Sequence, residues 1–231
     1  MHIPDGFLST DVALATGVVT AGTLACSVKR AEALLDERRV PLAGVTGAFV
    51  FAAQMLNFPV AGGTSGHFLG AALAAILLGP WLACLVLAVV ITTQAFVFAD
   101  GGVTALGANI LNMGVIGALA VGGLMLAARH VLGRAGTRSR GALLAVAAAG
   151  AWLAVMAGAA ATSLELAVSG TVPFATVLPA MLGVHALIGV GEAVVTAAAV
   201  SAVLATRPDL IAAPGLPWAG NRRPAPGMAA S

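Results

Sequence analysis

The chain opens Met1-His2-Ile3-Pro4-Asp5-Gly6 and places another histidine, His67, behind the run Gly62-Gly63-Thr64-Ser65-Gly66. A free α-amine, the next amide nitrogen and a histidine ring at position 2 lie within reach of one metal ion. The amine, the deprotonated amide and the ring Nδ1 of His2 would close two small fused chelate rings in one plane. One in-plane position then remains, and His67 can fill it. An all-nitrogen planar set suits Ni(II) or Cu(II). It disfavours Mg and Ca, which want oxygen ligands, and Zn, which prefers a tetrahedron. The ordinary alternatives are that His2 is a solvated terminal residue and that His67 starts a helix and bonds a backbone carbonyl.

Other polar side chains are placed to assist such a site. Asp5, Asn57, Gln94, Asn109 and Asn112 fall near the ends of apolar runs. There they would either orient ligating imidazoles or cap and cross-link helices. His185 and Glu192 are the most deeply embedded titratable pair, and an intramembrane ionisable residue is a functional candidate. Seven residues apart, they would share a helix face only if no bend separated them, with a mutual hydrogen bond as the structural alternative. Cys26 and Cys84 lie inside apolar runs and read as packing residues. No nucleotide-binding G-x-x-x-x-G-K-[ST], H-E-x-x-H or nucleophile elbow is present. ATP hydrolysis by this chain and membrane hydrolysis are therefore unsupported. A metal-dependent intramembrane enzyme built on His185 and Glu192 would lack any zinc-enzyme motif.

The elements that must position these residues are membrane helices. Of the 231 residues 60% are hydrophobic and 9% charged, against about 25% charged in a soluble domain, and the mean hydropathy is +1.02. That composition specifies an all-α polytopic bundle of about seven helices rather than a soluble domain or a nucleic-acid binder. Apolar runs cover 12–28, 40–56, 68–78, 81–98, 103–128 and 142–168. The run 68–78 is too short to span against lipid and fits a helix buried in the bundle. The stretch 174–206 is too long for one simple span, so Gly183, Gly189 and Gly191 are expected to break it into helices near 174–187 and 190–206. Residues 1–206 form one transmembrane metal-binding domain. Residues 207–231, rich in Pro, Gly and Ala, form a flexible cytoplasmic tail.

Charge fixes the orientation. All 11 Lys and Arg fall within 29–39, 129–140 and the tail. Seven crossings put those three places on the cytoplasmic side, as expected of a multi-pass protein of the cell inner membrane. The amino terminus and the loops near 57–67, 99–102 and 169–173 then share the outer face, which brings Met1, His2 and His67 together. The residues before the first apolar run are not basic, so no cleavable leader is expected, and Met1 is expected to keep its amine.

Several blocks resemble the CbiM/NikM family. They are Met1 to Ser9, Gln54 to Val60, Gly63 to Gly70, Gln94 to Gly102, Asn109 to Gly114 and His185 to Glu192. The first and third are the specific ones, and together the blocks run from residue 1 to about 200. The family supplies the substrate-capture component of energy-coupling factor transporters for cobalt and nickel. The resemblance implies a seven-helix protein that is not itself an enzyme. It implies Ni2+ or Co2+ held by Met1, His2 and His67 as cargo rather than as a cofactor. The implied partners are a transmembrane coupling subunit, cytoplasmic ATPase subunits and a small accessory membrane subunit, besides membrane lipid. Pro4-Asp5-Gly6 after Ile3 is more similar to nickel-type members, while Co(II) can use the same ligands. Small-residue faces such as Ala21/Ala25 and Ala71/Ala75 are candidate partner contacts. A capture component for an organic ligand such as a vitamin shares this architecture and is the alternative.

Overall fold

The computed structural model describes residues 1–32, 37, 39–60, 64–136 and 139–212. In a bilayer each backbone polar group must find its partner within the protein, so the apolar runs become helices. They are α1 (Thr10–Glu32), α2 (Arg39–Gln54), α3 (Ala71–Leu78), α4 (Pro80–Phe98), α5 (Leu106–Asn109), α6 (Gly117–Gly136), α7 (Arg140–Val168) and α8 (Phe174–Thr206). A π-helical turn, Ile110–Ile116, joins α5 to α6 in one rod. The described residues thus hold seven helical rods. The loop between α2 and α3 carries a three-residue antiparallel pairing of β1 (Phe58–Val60) with β2 (Thr64–Gly66).

Five rods are long and apolar enough to cross a membrane: Thr10–Glu32, Pro80–Phe98, Leu106–Gly133, Arg140–Val168 and Phe174–Thr206. Many side chains on the exterior of the bundle are apolar, among them Val18, Val89, Leu187 and Val194, as a lipid-facing surface requires. All eight residues of α3 are buried, as the sequence leads one to expect for so short a helix. Gly70 (φ +73°) and Gly79 (φ +82°) bracket it, and Pro80 starts α4 at a position where a missing N–H costs nothing.

The expected break within 174–206 does not occur. α8 runs unbroken through Pro179, Gly183, Gly189 and Gly191. A break would free backbone groups that lipid cannot satisfy. Gly189 serves packing instead: a Cβ there would stand 2.8 Å from Trp152 Cδ1, and the Trp152 Nε1–H donates to the Ala186 carbonyl at 3.2 Å. α1 and α5 cross as closely at Gly17 and Gly107, where a Cβ on Gly107 would meet Gly17 Cα at 2.5 Å.

Two further expectations change. Ala71 and Ala75 sit in the core and offer no outer surface, whereas Ala21 and Ala25 are exposed. The first residues beyond α8 are ordered: Pro208–Leu210 form a 3-10 turn, Ile211 is buried, and Ala212 N–H donates to Ile76 O at 2.9 Å. The expected flexible tail otherwise lies outside the described residues.

Candidate metal centre

The first nine residues descend into the bundle from the end at which no Lys or Arg lies among the described residues. Thr171 Oγ1, in the turn between α7 and α8, donates to Phe7 O. Asp5 Oδ1 accepts from Thr104 N at 2.7 Å and Thr104 Oγ1 at 2.6 Å. These bonds hold the Asp5 carboxyl below its ordinary value. Deeper in, Asn109 treats Ile3 as a strand neighbour would. Its Oδ1 accepts from Ile3 N at 2.8 Å, its Nδ2 donates to Ile3 O at 3.1 Å, and Gly102 N adds a bond to Ile3 O at 2.8 Å. Gly101 (φ +97°) and Gly102 must lack side chains. A Cβ on Gly102 would stand 2.4 Å from Asp5 N, and one on Gly101 would stand 3.1 Å from His2 Cδ2.

Met1 is fully buried. Its thioether rests against Gly158 of α7, where a Cβ would stand 3.0 Å from Met1 Cε and 3.0 Å from Asn112 O. Burying a methionine side chain contributes about 1.5–3 kcal/mol, which helps hold the terminus in place. Gly158 lies ten residues from Val168, hence about 15 Å along the helix from the end of α7. Burial pushes the amine down to about 4, the Asp100 charge opposing it in part. Burial thus favours the neutral form of this amine.

His2 and His67 meet inside. Their rings stack with centroids 4.7 Å apart and planes 22° from parallel. His67 is fully buried, and its Nδ1 stands 2.7 Å from Phe68 O. A carbonyl can only accept, so Nδ1 carries the proton and Nε2 presents a lone pair. That Nε2 has no partner. Burial first, then the charges of the amine, His2 and His185, hold the His67 imidazole well below its ordinary value. His2 Nδ1 lies 3.0 Å from Asp100 Oδ1, an ion-pair distance, yet neither ring nitrogen of His2 has an aligned hydrogen bond. Asp100 is fixed from its other side by Asn57 Nδ2, which donates to Oδ2 at 3.0 Å. Burial acts to raise the Asp100 carboxyl, but the His2 ring, Asn57 and the amine outweigh it and leave it below its ordinary value.

The loop that carries His67 is clamped from two helices. Glu192 of α8 accepts from Leu69 N and Gly70 N, one on each carboxylate oxygen, both at 2.8 Å. Gln54 of α2 donates to Leu69 O at 2.6 Å. Gly70 nests on Val50, which a Cβ would meet at 2.5 Å.

Four of the residues expected to assist contact the segments that carry the candidate ligands, or Asp100 beside them. Asp5 and Asn109 hold the amino-terminal segment, Asn57 holds Asp100, and Glu192 holds the His67 loop. Asn112 instead bonds Glu165 Oε2 at 2.6 Å and Thr162 Oγ1 at 3.2 Å, while its carbonyl borders the Met1 seat. The Gln94 side chain is buried without a partner, and its backbone carbonyl accepts from Asp100 N at 3.0 Å. His185 and Glu192 share the buried face of α8 but do not bond each other, for His185 Nδ1 pairs with Met181 O at 2.8 Å. Asp100 was not singled out from the sequence. Its place in the lysine- and arginine-free loop 99–102, beside Gly101-Gly102, was the available signal.

Among the described residues no three His, Cys, Asp or Glu side chains cluster at ligand spacing. A divalent ion held here would thus need backbone nitrogen beside the two imidazoles. The buried amine of Met1 and the amide of His2 are in place to supply it, and the donor set is then nitrogen throughout.

Known proteins are similar to this chain over most of its length. Residues 2–210 match the family model CbiM, cobalt uptake substrate-specific transmembrane region. A protein of Archaeoglobus fulgidus whose name places it in nickel transport is 41% identical over 220 residues, covering 93% of this chain and 70% of its own length. The fused nickel transport protein NikMN of Rhodobacter capsulatus is 36% identical over 247 residues (95% and 69%). The cobalt transport protein CbiM of Geobacter sulfurreducens is 35% identical over 238 residues (96% and 66%). A crystal structure of a truncated transition metal transporter superposes with a TM-score of 0.80 at 31% identity, over 89% of this chain and 99% of that one.

Proposed function

The chain belongs to the CbiM family, and from that premise we propose that it captures Ni2+ or Co2+ for uptake, binding the ion through Met1, His2 and His67. It is a multi-pass membrane component of a cobalt or nickel transport system and not an enzyme. The observation that carries the binding reading is the convergence in one buried place of the Met1 terminus and of the stacked His2 and His67 rings, each of which keeps an Nε2 without a hydrogen-bond partner. Imidazole nitrogens left unpaired inside a protein cost stability, and a nitrogen-loving ion repays that cost.

The ion would take the amine, the His2 amide and ring Nδ1, and His67 Nε2, in a plane. Loading would exchange the contact between His2 Nδ1 and Asp100 for a bond to the metal. Asp100, retained by Asn57, would stay beside the charged centre. Electroneutrality favours this, since a dication bound to a deprotonated amide keeps a net positive charge. All 11 Lys and Arg fall within 29–39, 129–140 and the residues from 207 on, a distribution that supports a cytoplasmic face for those segments and capture from the opposite, outer face of the cell membrane. ATP-driven coupling through a transmembrane subunit and cytoplasmic ATPases, as in energy-coupling factor systems, follows from the family resemblance and from the absence of a nucleotide motif in this chain.

Elemental analysis and absorption spectra of the purified chain test the proposal, with intact mass confirming that Met1 is the terminus. One Ni2+ or Co2+ per chain is expected, with a yellow planar spectrum for nickel. It should be lost in His2→Ala, in His67→Ala and on adding one residue before Met1. Full metal retention in the extended chain refutes the chelate.

A further inference from the structure

The bundle holds one more imidazole that the proposed chelate does not use. His185 is fully buried on α8. Its Nδ1 is committed to the Met181 carbonyl of the preceding turn at 2.8 Å, so the ring carries its proton there and Nε2 is an acceptor. That Nε2 is buried and without a partner. A histidine kept only for packing would leave a bare nitrogen in a low-dielectric interior, which is destabilising.

Its position is not arbitrary. His185 lies eleven residues into α8, about 16 Å from the start of the helix. That is the depth at which Met1 packs on Gly158 of the antiparallel α7. Two turns further along the same buried face, Glu192 grips the loop that carries His67, at Leu69 and Gly70. One helix thus carries both the clamp of the loop and a spare imidazole. His185 is not a simultaneous third side-chain ligand, since no three such groups stand at ligand spacing among the described residues.

Resting on the capture reading, we propose that His185 Nε2 is a second ligating station for the transported divalent ion, taking it from the Met1–His2–His67 set when that set opens. A desolvated dication needs a donor at each stage of its passage, and a neutral imidazole suits the borderline first-row metals that the nitrogen set selects.

The test uses the full chain with one residue added before Met1, so that the terminal chelate is destroyed, and Co2+ as the probe. Residual weak Co2+ binding is expected, and His185→Gln in that chain should weaken it on the order of tenfold or more, the scale on which groups around metal centres act. His185→Cys in the same chain should add a sulfur-to-cobalt charge-transfer band in the near ultraviolet. Residual binding unchanged by His185→Gln, with no band from His185→Cys, overturns the second station. Both variants in the unextended chain should keep one tightly bound ion, which shows that they fold. An unextended wild-type chain that binds no metal refutes the capture reading itself, a result distinct from loss of the second station.

Discussion

Met1 and Gly158 are halves of one contact: the thioether of the first occupies the space that any side chain on the second would need, with Cε 3.0 Å from a Cβ built there. Gly158→Leu should therefore expel Met1 and draw the amine and His2 away from His67. The surrounding helix packs small residues, and overpacking costs about 1–3 kcal/mol, so the bundle should survive. Metal content should fall to near zero while the elution volume of the purified chain stays that of wild type. Retention of bound Ni2+ or Co2+ would show that Met1 can seat elsewhere.

Glu192 should separate metal binding from stability. A glutamine at that position keeps one acceptor oxygen but turns an N–H2 toward the second backbone N–H of the Leu69-Gly70 pair. Losing a hydrogen bond to a charged group costs about 1.5–3 kcal/mol, or roughly tenfold to a hundredfold in affinity if it falls on the loaded state. Titration of Glu192→Gln with Co2+ should show that loss. Its melting temperature should not fall in proportion, because a buried charge has also been removed.

The paired bonds of Asn109 to Ile3 make a graded series. Asn109→Asp keeps the acceptor for Ile3 N and loses the donor to Ile3 O; Asn109→Ala loses both. Metal affinity should fall in the order wild type, Asp, Ala, each step costing about 0.5–1.5 kcal/mol. Isothermal titration with Ni2+ measures it. Equal affinities would mean that Gly102 alone registers the amino-terminal strand.

The amine supplies a pH dependence with a definite sign. Exposed, it titrates at 8.0; docked and buried, at about 4. Between those values the undocked amine holds a proton that the docked one has shed. Docking in the metal-free protein should therefore strengthen as pH rises from about 4 to 8 and level off above, by up to about tenfold per pH unit. Hydrogen exchange at Ile3 and Gly102, corrected for intrinsic rate, should show protection climbing through that window. Flat protection would argue against a buried neutral amine.

The places where residue type dictates chemistry were legible in the sequence. Met1-His2 and His67 stand out because few side chains ligate metals, and the short run 68–78 could only be a helix enclosed by others. What could not be read depends on what a residue faces. Gly183, Gly189 and Gly191 look like breaks, yet α8 runs unbroken through them because lipid offers no substitute for helical hydrogen bonds. Gly189 is small for the sake of Trp152, a residue 37 positions earlier. Asp100 looks like a turn residue until the fold sets its carboxylate beside His2. The π-helical turn at Ile110–Ile116 has no compositional sign at all; it follows directly on Asn109, which holds Ile3, and carries Asn112, whose carbonyl borders the Met1 seat.

The docking of residues 1–9 has a consequence in time as well as space. Its anchors are Thr104, Asn109, Gly158 and Thr171, and the loop it meets is held by Glu192 of α8. At about 5–20 residues per second of synthesis, the first residues made wait roughly ten to forty seconds for the last helix to be completed. Until then the strand that bears the ligands has nowhere to lodge. Metal occupancy therefore certifies a finished molecule, and a ribosome that stalls before α8 leaves a chain with both histidines but no trap.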